Sequence, residues 1–80
     1  MILVNNISQL GLFVRKTRKM QGLTQEQLAV TSGVGVRFIR ELEQGKETCQ
    51  IGKAFNVISM LGFNVVLRGK DFDVENKLSK

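Results

Sequence analysis

Histidine, proline, tryptophan and tyrosine are absent from this chain, and cysteine occurs once, as Cys49. The lack of histidine removes the commonest metal ligand and the commonest general base. A lone cysteine excludes an internal disulfide and a cysteine-cluster zinc site, and it suits a reducing compartment. No nucleophile–base arrangement, phosphate-loop pattern or spaced ligand set replaces them, so neither catalysis nor a metal or cofactor is expected. No run approaches the ~20 apolar residues of a membrane span. Met1-Ile2-Leu3-Val4 is apolar, but it is short and lacks a basic leader, so a cytoplasmic protein without a secretory signal is expected.

What remains is a small basic domain. A chain of 80 residues buries only ~60–65% of its unfolded surface, so a second copy would add useful burial. The formal net charge is +5, with 12 basic and 7 acidic residues. Gly69 to Lys80 holds three lysines and three acids, so the excess lies in residues 1–68. Arg15, Lys16, Arg18 and Lys19 cluster there, followed by Arg37 and Arg40. Such a field attracts phosphate backbones; alone, a charge run equally describes a solvated helix face.

The periodicity predicts helices. Asn6 is placed to cap a helix from Ile7 to Gln21, with Gln9 in a capping-box-like position. Ile7, Leu10, Phe13, Val14, Thr17 and Met20 share its inward face. Arg15, Lys16 and Lys19 point away, as does Leu12, and Arg18 sits at the edge of the apolar face. After Gly22-Leu23, Thr24 and Gln27 form a capping box for a second helix, Gln25 to Ser32. Gly33 falls where that helix should stop. A third helix, Val36 to Gln44, places Gly35, Ile39 and Leu42 on one side and Arg37, Arg40, Glu41 and Gln44 on the other. Two short helices across a glycine turn, the second with one apolar and one charged face, make a helix-turn-helix pattern. Phe13 and Phe38 are read as packing residues, because no sheet platform exists to present them to bases.

A fourth helix is expected from Ile51 to Leu61, with Ile51, Ala54, Phe55, Ile58 and Leu61 inward and Gly62 just past its end. Phe63 to Arg68 then reads as a strand. Its partner would be Ile2–Val4, itself either a strand or a frayed terminus, or the same strand of a second copy. Residues 1–68 thus form one domain, and 69–80 a tail expected to be mobile.

Arg18 with Gly22-Leu23-Thr24-Gln25, then Leu28-Ala29, Gly33-Val34, Ile39 and Glu43-Gln44-Gly45-Lys46, resembles the lambda-repressor/Cro-type DNA-binding domain. The resemblance covers Leu10 to Gly62. It implies a mainly α fold of four helices, here with a short C-terminal strand that pairs across a homodimer. Within that superfamily, Gly33 to Lys46, Leu61-Gly62 and the closing strand resemble the HipB-like antitoxins. That resemblance implies a repressor of its own operon that also binds a HipA-like Ser/Thr kinase toxin. Gly35 departs from the superfamily, which often carries Ser as the cap of the third helix.

The expected roles follow. Arg37, near the start of the third helix, either forks onto a guanine edge or pairs with Glu41. Arg40 reads a base or holds a phosphate. Val36 touches a thymine methyl or flanks the core, and Glu41 accepts from a cytosine amine or orients an Arg. The resemblance makes Gln25 a phosphate anchor, helped by the positive end of its helix. Thr24 is mainly a cap with a possible phosphate bond. Lys46, with the backbone amides of Gly45-Lys46, would hold another phosphate. The resemblance also pairs Arg18 with Glu43 in an inter-helix salt bridge, with a phosphate contact as a second role for Arg18. Asn64, Val65, Val66, Leu67 and Arg68 would form the dimer strand. The rival readings are an antitoxin module that works mainly by holding its toxin, and a stand-alone phage or restriction-type regulator.

Overall fold

A computed structural model describes residues 2–69. The order is α1 (Ile7–Met20), α2 (Gln25–Ser32), α3 (Val36–Glu43) and α4 (Ile51–Met60). Each boundary has a local cause. The Asn6 Oδ1 accepts from the Gln9 backbone N–H at 2.9 Å, and the Gln9 side chain reaches back to the Asn5 N–H at 2.7 Å. For α2, Thr24 and Gln27 exchange both capping-box bonds, at 2.8 and 3.0 Å. These bonds satisfy donors that a helix start leaves without intrahelical partners. Gly33 ends α2 with φ +71°. Its lack of a Cβ makes that left-handed turn inexpensive, and the next residue, Val34, donates back to Ala29 O at 3.0 Å.

Val14, Leu28, Ile39, Leu42 and Val57 are wholly buried, and Ala29, Ala54, Ile58 and Leu61 nearly so. The large side chains among them each contribute about 1.5–3 kcal/mol by leaving water. α3 packs against α1 and α2, and α2 packs against α4. α1 meets the end of α3 at backbone distance. A Cβ on Gly11 would overlap Leu42 O and come within 2.9 Å of Glu43 O, so only glycine permits that approach. The Gln21 side-chain amide donates to Leu61 O at 2.8 Å, tying the end of α1 to the end of α4.

Two expectations need correction, and a third is not met within one chain. Met20 is 87% exposed. Arg18 occupies the inward position in the last turns of α1, and a residue two places on is carried to the opposite side by ~100° per residue. On α4, Ile51 and Phe55 are exposed while Val57 is buried. The helix is apolar around most of its girth, and 54, 57, 58, 61 satisfies the helical period as well as the stripe that begins at Ile51. Last, no strand forms among the described residues. Residues 63–69 carry no regular secondary structure, and neither do residues 2–5. A strand exists only as a ladder with a neighbour, and within a single chain neither run supplies one to the other. Phe63 instead packs edge-on against Phe13, centroids 4.9 Å apart at 89°. The tail expected to be mobile lies, from residue 70 on, outside the described residues.

Candidate nucleic-acid interface

The α2–turn–α3 unit is held from behind by one ion pair. Arg18 donates from Nε to Glu43 Oε2 at 2.6 Å and from Nη2 to Oε1 at 3.0 Å, and Nη1 donates to Leu23 O at 2.8 Å. Both side chains are out of solvent, 9% and 4% exposed. The bonds to Glu43 raise the Arg18 pKa above its ordinary value, against the opposing effect of burial. The pair therefore joins α1 to the end of α3 as the resemblance implied. The second role given to Arg18, a phosphate contact, does not suit this position: its fork faces Glu43 and Leu23 rather than the surface.

Gln25 opens α2, half-buried, and its side-chain amide donates to Glu43 Oε1 at 3.2 Å. Glu43 thus also positions the residue expected to anchor a phosphate, a link that no spacing in the sequence disclosed. Thr24 spends its hydroxyl oxygen on the Gln27 N–H. The remaining first-turn N–H groups of α2 and the helix dipole leave a positive end beside them.

The outer face of α3 carries Arg37, Arg40 and Gln44, all exposed, with Glu41 half-buried between them. Arg37 Nε donates to Glu41 Oε2 at 3.3 Å, and Lys46 Nζ donates to the same oxygen at 2.9 Å. The Lys46 ammonium, and after it Arg37, hold the Glu41 carboxyl below its usual range. Val36 is half-buried and packs against the core, so it flanks the core. Gly35 caps α3 through backbone geometry alone, with no side-chain bond.

The loop after α3 differs from expectation in one respect. The Gly45 N–H donates to Leu42 O and the Lys46 N–H to Glu41 O, both at 3.0 Å. Those amides close the helix end and are not available to a phosphate, which leaves the half-exposed Lys46 side chain. One cation beside the face was missed: Lys53, in the first turn of α4, lies 5.8 Å from the centroid of the Phe38 ring on α3. Its position in the fourth helix carried no signal of that approach.

Among the described residues, no group of three or more His, Cys, Asp or Glu could hold a metal ion. None of the described helices is long and apolar enough to cross a membrane.

Residues 14–62, more than half the chain, match the helix-turn-helix family of the Cro/C1 type. An uncharacterized HTH-type transcriptional regulator of Sinorhizobium fredii, y4mF, is 48% identical over 58 residues, covering 72% of this chain and 76% of that protein. The family match over 14–62 takes in Arg18, Gln25, Glu43 and the whole face of α3 described above. The chain belongs to the Cro/C1-type helix-turn-helix family of DNA-binding transcriptional regulators.

Proposed function

We propose that this regulator is a cytoplasmic homodimeric repressor that reads an operator through the outer face of α3. The observation that carries this reading is the exposed row Arg37, Arg40 and Gln44, set on a helix braced internally by Arg18 and Glu43. In this docking geometry the start of the second helix of the motif meets base edges. Arg37 forks onto a guanine, and Arg40 reads a base or holds a phosphate one turn on. Val36, at the margin of the core, offers at most a methyl contact. Gln25, Thr24 and Lys46 hold phosphates, giving affinity and register without sequence information.

The dimer is supported by apolar surface that a single chain leaves bare. Ile51 and Phe55 on α4, and Val65, Val66 and Leu67 beyond it, are all exposed. Pairing of Asn64–Arg68 with the same run of a second copy would complete a ladder and cover that surface. Two recognition helices would then address half-sites about one helical turn apart, ~34 Å.

The finer identity is an antitoxin that represses its own operon and binds a HipA-like Ser/Thr kinase toxin. It rests on the resemblance of Gly33–Lys46 and Leu61-Gly62 to HipB-like proteins. A second reading, an antitoxin that acts mainly by holding its toxin, is favoured by the tip of α3. There Gly35 has no side chain and Val36 has no hydrogen-bonding group. A gel shift against the region upstream of the protein's own gene separates the two. A shift with that duplex and not with random DNA supports the repressor; binding only to a co-expressed neighbouring kinase supports the alternative. If no kinase lies beside the gene, the antitoxin identity fails and the operator reading stands or falls alone.

A further inference from the structure

Glu41 is the one acid on the outer face of α3, since the other acid of that helix, Glu43, is buried. Both of its ion-pair partners, Arg37 and Lys46, belong to the proposed DNA face, and both bond to the same oxygen, Oε2. The geometry is uneven in a way that matters. The Arg37 bond uses Nε, at 3.3 Å, and the two Nη groups at the far end of the fork are not engaged with any described residue. The Lys46 bond, at 2.9 Å, uses the whole ammonium charge. A guanine edge can take the Nη end of Arg37 while Nε stays with Glu41. A phosphate contact by the whole fork, or by Lys46, must compete with the carboxylate. The carboxylate also repels phosphate directly, and its lowered pKa keeps it ionised.

We propose that Glu41 is a specificity-determining residue, a built-in competitor that weakens the phosphate contacts of Arg37 and Lys46 and aims Arg37 at a base edge. This rests on the reading of α3 as the base-reading helix. On random DNA the two cations give less than their full electrostatic attraction. At the operator the guanine contact is made with the Glu41–Arg37 pair intact, so little is lost. The carboxylate therefore widens the gap between operator and random duplex by weakening the random one.

Duplex binding by Glu41→Gln tests this, measured by fluorescence anisotropy at fixed salt on a random duplex and on the upstream duplex. Glu47→Gln makes the same change in net charge at an exposed neighbouring acid that pairs with no cation among the described residues. Exposed ion pairs are individually weak, so the expected gain of Glu41→Gln on random DNA is about three- to tenfold. The upstream duplex should gain less, so that the specificity ratio falls. In an Arg37→Met/Lys46→Met background the gain should shrink to that of Glu47→Gln. The inference is overturned if Glu41→Gln binds random DNA as the wild type does, or gains no more than Glu47→Gln. A wild type that binds both duplexes equally would instead overturn the operator reading. The random-duplex arm still decides whether Glu41 competes with phosphate. Melting of every variant well above the assay temperature shows that folding is not the cause.

Discussion

Arg18 on α1 and Glu43 at the end of α3 meet in a two-pronged bond, 2.6 and 3.0 Å, shielded from solvent. The same carboxylate receives Gln25 at the start of α2. One acid therefore fixes three helices relative to one another, including both elements of the proposed DNA face. Removing either member of the pair leaves a buried charge without its partner.

Glu43→Ala or Arg18→Met alone should cost about 3–5 kcal/mol, whereas Arg18→Met with Glu43→Leu should recover much of that loss. Urea unfolding measures all three. An unchanged midpoint for Glu43→Ala contradicts the buried-pair account.

Gly11 and Gly52 should respond to alanine with opposite signs. At Gly11 the added methyl overlaps Leu42 O, forcing α1 off α3 at a cost of about 1–3 kcal/mol. At Gly52, in the first turn of α4, nothing lies within 4 Å of the added atom, and the helix should gain roughly 0.5–1 kcal/mol. Thermal melts should move down for the first and up for the second, by about 4–8 °C per kcal/mol in a domain of this size.

The buried Ser32 hydroxyl has no hydrogen-bond partner among the described residues. An unsatisfied buried polar group carries a desolvation cost of about 1–3 kcal/mol, so Ser32→Ala should be neutral to stabilising. A fall in melting temperature would show that the hydroxyl has a partner in solution.

Glu41 makes stability depend weakly on pH. Lys46 and Arg37 lower its pKa in the folded chain below the ordinary 4.5. The folded state therefore gains from the charged form above that value and loses the gain as pH falls through the folded pKa. The melting temperature of the wild type should exceed that of Glu41→Gln slightly at neutral pH. The difference should vanish in acid below the folded value. A difference that grows on acidification contradicts the sign.

Much of the fold was legible because it is written in local chemistry. Asn6, the Thr24–Gln27 box and Gly33 mark helix boundaries through bonds made within a few residues. What spacing could not show depends on how helices approach. The period on α4 fits two overlapping stripes, and only packing against α2 chooses Val57 over Ile51 and Phe55. Arg18 turned inward, carrying Met20 out, because Glu43 waits on another helix. Gln25 meeting Glu43, and Lys53 lying by Phe38, arise from tertiary contacts with no sequence spacing of their own. At the proposed DNA face, the residue types on α3 were readable, whereas the spent amides of Gly45 and Lys46 were not. The glycine and lysine suggested a phosphate site there, and the closing turn of α3 uses the same donors.

The most direct test of the central claim compares Arg37→Ala and Gln25→Ala with the wild type on the upstream duplex and on random DNA. Arg37→Ala should lose about 1–3 kcal/mol on the upstream site and far less on random DNA. Gln25→Ala should weaken both alike. Equal losses on the two duplexes for Arg37→Ala would contradict the claim that α3 reads sequence through that residue.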